Sequence, residues 1–253
     1  VERADVRVLL INPNTSETIT ARVTEAARAF ARPGTHLIGA TGRFGARYIA
    51  SRAAAVIAAH AALDAWAEHA TAVDAVVLAC FGDPGLDALR ELAPHPVIGF
   101  ADEACRHAAA LGDGRFAIVT GGAAWGPMLA EFVEARGLGE QLAAVITVAP
   151  TGADIARDPE GAVEMLTRAC NEAVTRHGAT SVVLGGAGLA GLASRVSPGV
   201  RVPLVDPVQV SVHRAQSRVT ADEAAGRLDR PDGPPAVEAV GLTGPLTARL
   251  AGR

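Results

Sequence analysis

The sequence reads as an α/β protein with two pseudo-symmetric parallel-sheet halves and a cleft between them. Three observations point there. Short β-rich runs alternate with longer Ala-rich stretches of helical period, the pattern of a mostly parallel sheet flanked by helices. Val76-Val77-Leu78-Ala79-Cys80-Phe81-Gly82 matches Val182-Val183-Leu184-Gly185-Gly186-Ala187-Gly188, and VLLINPNTS at 8–16 echoes AIVTGGAAW at 117–125. Two related halves of about a hundred residues each would produce both matches. At 253 residues with 49% hydrophobic side chains, the chain has room for one large domain or two small ones around a sizeable core.

Along the chain, a first strand is expected over 6–11. The loop Asn12-Pro13-Asn14-Thr15-Ser16 then opens a helix over 16–30, because Asn, Thr and Ser side chains satisfy free N–H groups at a helix start. A strand over 35–40 precedes a long Ala-rich helix over 47–69, whose smooth apolar stripe also suits a subunit interface, so a homo-oligomer is expected. The strand at 75–79 ends at Cys80. Beyond Phe81 and Gly82, Asp83 suits the cap and Pro84 the first position of a short helix reaching 86–91. Then follow a strand at 96–99, a helix at 102–111, a strand at 115–120 leading into Gly121-Gly122, and a helix at 125–136. The second half closes with a strand at 143–148, a helix at 158–177 and strands at 181–185 and 202–205. The breaker cluster DRPDGPPA at 229–236 makes the last stretch either a loosely docked helix or a tail.

Composition excludes several functions. The net charge of −4 offers no basic surplus for a phosphate backbone, so nucleic acid is not an expected partner. All 23 cationic side chains are Arg; without Lys there is neither a pyridoxal-phosphate Schiff base nor a Walker A loop. Seven scattered His and three Cys without CxxC spacing give no metal site, and the free thiols fit a reducing, cytoplasmic compartment. The charged N-terminal stretch and its short apolar run make neither a signal peptide nor a membrane span. Aromatic residues are 4% of the chain, so no aromatic-lined pocket can be inferred.

In an open parallel sheet, ligands sit beyond the carboxyl ends of the strands. Cys80 stands at such an end and, by the expected helix start, would gain a lowered pKa and act as a base or nucleophile. Cys105 and Cys170 fall inside helical patterns and read as filler. Asn14 and Thr15 can offer amide, hydroxyl and N–H groups to a carboxylate or imide, with Thr120 and Gly121 repeating the arrangement in the second half.

INPNTS at 11–16, ACFGDPG at 79–85 and VVLGGAGLAG at 182–191 resemble the Asp/Glu/hydantoin racemase superfamily, nearest its hydantoin and allantoin racemase branch. The resemblance implies a cofactor-free enzyme with an aspartate/glutamate racemase-like fold, whose C-terminal segment returns to the first half. That divides the chain into 1–98 joined by 206–253, and 99–205. It also implies a small substrate with a carboxylate or imide group, held by Phe81, Gly82, Ala187 and Gly188 as well as the residues above. The family places a cysteine on each side of the substrate α-carbon. Here the second falls on Gly186, which the internal repeat independently aligns with Cys80. Glycine has no proton to exchange, so two-thiol racemisation is not supported. A substitute from Asp83, Asp206 or His213, a proton from water, or a change of chemistry would each accommodate the loss.

The leading reading is a cofactor-independent racemase or epimerase acting on a hydantoin-like or amino-acid-derived substrate through Cys80. The alternatives are a single-cysteine lyase similar to arylmalonate decarboxylase, in which Cys80 protonates an enolate, and a non-catalytic binding homologue. Gly186 to Gly191 also spells GxGxxG with Asp206 twenty residues beyond, the dinucleotide fingerprint. Pro198 and Gly199 cut that helix short and too little chain follows Asp206, so the glycines read instead as a tight turn open to substrate.

Overall fold

The computed structural model describes residues 5–224 and 234–252. It contains two four-stranded parallel sheets of the same topology. The first runs β2(Thr35–Thr41)-β1(Val6–Asn12)-β3(Ala75–Leu78)-β4(Val97–Gly99); the second runs β6(Leu142–Val148)-β5(Phe116–Gly121)-β7(Ser181–Gly185)-β8(Leu204–Val205). All eight expected strands are present, and the two matched segments hold the same place in their sheets: β3 beside β1, β7 beside β5.

Strand side chains alternate between faces, so each sheet buries two apolar sets. On the outer face of the first sheet, Leu9, Ile11, Val76 and Leu78 pack against Ala62 and Trp66 of α2(Arg52–His69), Leu86 and Leu89 of α3(Leu86–Leu92), and Leu246 of α10(Gly244–Leu250). The outer face of the second sheet sets Val119, Val182 and Leu184 against Leu166, Cys170 and Ala173 of α7(Pro159–His177). Between the sheets, Val8, Leu10 and Val77 share one core with Phe116, Ile118 and Val183. That layer is filled by α1(Glu17–Arg28), α4(Phe100–Ala109), α5(Trp125–Ala135) and α9(Pro207–Ala224), the last contributing Val208, Val212, Ala215 and Val219.

Several boundaries differ from expectation. The helix expected from residue 47 starts at Arg52, because Ser51 is extended and its hydroxyl accepts the Ala54 N–H at 3.1 Å. Residues 47–51 are therefore loop. Two helices had no counterpart in the sequence reading: α6(Gly152–Arg157), opened by a capping box between Thr151 and Asp154, and α9, where Pro207 follows Asp206. The Asp206 carboxylate accepts the Val208 N–H at 2.9 Å. Most of the breaker cluster at 229–236 lies outside the described residues; beyond it α10 docks on α2. No helix among the described residues is long and apolar enough to cross a membrane.

Candidate active site

The carboxyl ends of four strands meet at a cavity of about 340 Å³. From the first sheet, β1 leads to Asn14 and Ser16, and β3 to Cys80 and Phe81. From the second, β5 brings Thr120 and Gly121, and β7 brings Gly186, Ala187 and Gly188. Of the residues expected at the site, Thr15 and Gly82 do not line it. The Thr15 N–H instead donates to the Ala46 carbonyl at 3.1 Å, tying two first-sheet loops together. Gly82, at φ +109, lies under the Trp125 indole, where a Cβ would stand 2.7 Å from Cζ3.

The loop after β1 is held from within. The Asn12 amide, 1% exposed, donates to Asn14 Oδ1 at 2.9 Å, Thr20 Oγ1 at 3.0 Å and the Ser16 carbonyl at 3.1 Å. Asn14 Oδ1 also accepts the Ser16 N–H at 2.8 Å. Both acceptor contacts use the oxygen of Asn14, so its Nδ2 has no protein partner among the described residues and remains a donor for a ligand. Thr120 Oγ1 is likewise unpartnered among them, and a Cβ at Gly186 would lie 3.6 Å from it.

The Cys80 thiol is 6% exposed, borders the cavity, and has no hydrogen-bond partner among the described residues. Its expected helix does not reach it. The short helix starts at Leu86 with Gly85 as its cap, and Asp83 caps α4 instead, accepting the Ala101 and Asp102 N–H groups at 3.1 and 2.7 Å. A lowered thiol pKa is thereby overturned in direction: burial, followed by the charge of Asp83, pushes Cys80 well above the ordinary thiol range. Burial also raises Asp83 to about 7.

None of the three side chains expected to substitute at the Gly186 position borders the cavity. Asp83 is committed to α4 and Asp206 to α9, while His213 stacks edge-on against Phe30 with ring centroids 6.0 Å apart. Gly186 itself sits at φ +129, a conformation that L side chains rarely adopt, with Leu189 Cδ1 3.2 Å from a Cβ placed there.

Composition gave no sign of the cavity's aromatic side chains. Tyr48, Phe81 and Trp125 all border it, because a low aromatic count says nothing about where the few residues gather. Arg47, Tyr48 and Ile49 come from the stretch expected as helix; Ser51, a cap residue inside the Ala-rich pattern, was the available signal. Gly152, Ala156 and Arg157 come from α6, which the Thr151-x-x-Asp154 spacing announces. The cationic lining residues are Arg47 and Arg157, and no acidic residue joins them, which favours an anionic ligand. Among the described residues no three His, Cys, Asp or Glu side chains cluster as metal ligands.

Comparison with known proteins bears on this cavity. A family model described as Asp/Glu/Hydantoin racemase matches residues 8–215. The hydantoin racemase of Paenarthrobacter aurescens is 35% identical over 216 residues, covering 85% of this chain and 91% of that protein. The crystal structure of allantoin racemase from Pseudomonas fluorescens superposes with a TM-score of 0.86 at 29% identity, covering 93% of this chain and 100% of that one. Allantoin racemase from Klebsiella pneumoniae gives a TM-score of 0.83 at 33% identity, with 94% and 97% covered.

Proposed function

Because the chain belongs to the Asp/Glu/hydantoin racemase family, we propose that it inverts an acidic C–H next to a carbonyl, with Cys80 exchanging the proton on one face. Its hydantoin and allantoin racemase relatives support a racemase function, hence an isomerase. The substrate we assign is hydantoin-like or amino-acid-derived, small, and bears an imide or carboxylate. The observation that carries the reading is an unpaired thiol bordering a cavity where the strand ends of both sheets converge.

Chemically, Cys80 rests as the thiol, and the small fraction present as thiolate takes the α-hydrogen while the electron pair moves into the adjoining carbonyl. Asn14 Nδ2 and Thr120 Oγ1 are placed to donate to the oxygens where that charge collects, and Arg47 and Arg157 favour the anion. The carbonyl itself acidifies the C–H, so the reading requires no cofactor. It goes with halves at 1–98 plus 206–253 and at 99–205, and with a cytoplasmic homo-oligomer in which α2 offers exposed Val56 and Ile57 as contact residues.

The test is incubation of each enantiomer of a 5-substituted hydantoin in D₂O, following optical rotation and α-deuterium together. Cys80→Ser is expected to lower inversion about 10²- to 10⁴-fold; a variant that turns over at the wild-type rate refutes the role of the thiol. A second reading, a single-thiol decarboxylase, draws support from the glycine-only backbone at Gly186. Carbon dioxide released from a disubstituted malonate would favour it over inversion.

A further inference from the structure

Gly186 leaves one face of the reacting carbon without a proton carrier, and Asp83, Asp206 and His213 are all placed away from the cavity. We infer that Tyr48 is that carrier, its phenol working on the face opposite Cys80, so that the site pairs a thiol with a phenol rather than with a second thiol. This deepens the racemase reading and rests on it.

The lining offers few choices. The guanidinium groups of Arg47 and Arg157 offer hydrogen-bond donors and no acceptor, and the hydroxyls of Ser16, Thr18 and Thr120 are aliphatic and do not ionise in water. Among the lining side chains, the groups that can both give up and take back a proton are Cys80 and Tyr48. Tyr48 is also the only tyrosine in the chain.

Its placement is on the correct wall. Tyr48 comes from the loop between β2 and α2, yet its hydroxyl donates to the Gly121 carbonyl at 3.2 Å, at the end of β5. A Cβ on Gly122 would stand 2.7 Å from that hydroxyl, and one on Gly152 would stand 3.7 Å from the ring's Cε2. Gly122 thus makes room for the hydroxyl, while a Cβ on Gly152 would be in ordinary contact with the ring. β5 pairs with β7 through Thr120 opposite Gly185, one residue before Gly186. The phenol is therefore docked against the sheet that carries Gly186, while Cys80 ends a strand of the other sheet.

The charge balance fits a thiol–phenol pair. In one direction the Cys80 thiolate removes the α-hydrogen, leaving a thiol and a delocalised carbanion. The Tyr48 O–H, turning from the Gly121 carbonyl toward the substrate, then protonates the opposite face and becomes a phenolate. In the reverse direction the phenolate is the base and the thiol the acid; exchange with water restores the starting state between turnovers. One negative charge suffices throughout. The Gly152 N–H and the Trp125 indole both favour a phenolate, although burial outweighs them and raises the phenol. A charge on Cys80 raises it further, so the two groups resist ionising together.

Tyr48→Phe keeps the ring and removes the hydroxyl. Both enantiomers of a 5-substituted hydantoin are followed in D₂O, by NMR for loss of the α-proton and by chiral chromatography for inversion. In Tyr48→Phe, inversion is expected to fall about 10²- to 10⁴-fold, while the enantiomer whose hydrogen faces Cys80 still exchanges it with retention. Cys80→Ser is expected to spare exchange in the other enantiomer only. Replacing Tyr48 by a fluorotyrosine, whose phenol is more acidic, is expected to move the pH dependence of inversion to lower pH without altering the fold. Tyr48→Phe inverting at the wild-type rate would overturn the assignment, as would equal loss of exchange from both enantiomers. A wild-type protein that neither exchanges nor inverts any enantiomer would instead remove the racemase reading beneath it.

Discussion

Gly185→Ala adds a single methyl group at the point where the two sheets touch. A Cβ there would lie 2.5, 2.7 and 2.8 Å from Cε1, Cζ and Cδ1 of Phe81. Carbon atoms rest at about 3.5–4.0 Å, so the ring must retreat by about 1 Å. It has little freedom to do so, being 4% exposed and packed in the core shared by both sheets. Overpacking of this kind costs about 1–3 kcal/mol. For a chain of this length that lowers the melting temperature by about 2–12 °C, at about 2–4 °C per kcal/mol. Phe81 follows Cys80 directly and borders the cavity, so a displaced ring should also lower kcat/KM. The assay is urea unfolding of Gly185→Ala, Phe81→Leu and the double variant. Phe81→Leu removes Cε1 and Cζ, the two most crowded atoms, so the two substitutions should couple by at least about 1 kcal/mol. A loss below about 0.5 kcal/mol in Gly185→Ala, or the same loss with Leu at 81, would refute the reasoning.

Two further outcomes follow from the same region. The folded protein holds Asp83 at about 7 against an ordinary value of 3.8, so it keeps a proton that the unfolded chain has released. Stability from this site is complete below about pH 4 and falls as pH rises to about 7; the gap of about three pH units corresponds to at most ~4 kcal/mol. Denaturant titrations should show this decline in the wild type and a flatter profile in Asp83→Asn, and an unchanged slope would exclude Asp83 as its source. Gly186→Cys should destabilise by about 1–3 kcal/mol, because φ is +129 there, and should return part of the inversion lost in Tyr48→Phe. Undiminished stability in that variant would show that the position tolerates a side chain.

The strands were legible because parallel strands buried on both faces are short apolar runs that turn residues interrupt, and because the repeat appears twice in the sequence. Cys80 and Gly186 were legible for the same reason, each ending a matched strand. Long-range partners were not. Asp83 caps a helix that begins at Phe100, and Gly99 leaves it space, since a Cβ there would stand 2.3 Å from Oδ2. The thiol's expected activation failed for a related reason, because burial outweighs a helix end that does not reach it. Tyr48 was hidden inside an unbroken Ala-rich period, where one Ser decides where the helix begins.

The position of α9 also affects how the chain can fold as it is made. Its apolar stripe fills the middle layer against α4, α1 and β3, yet it emerges from the ribosome after every strand of both sheets. Until then Val77 and Ala104 lack part of their cover. A chain truncated just before Pro207 should therefore hold both sheets in a loose, sticky form, and reach its final packing only when α9 is supplied.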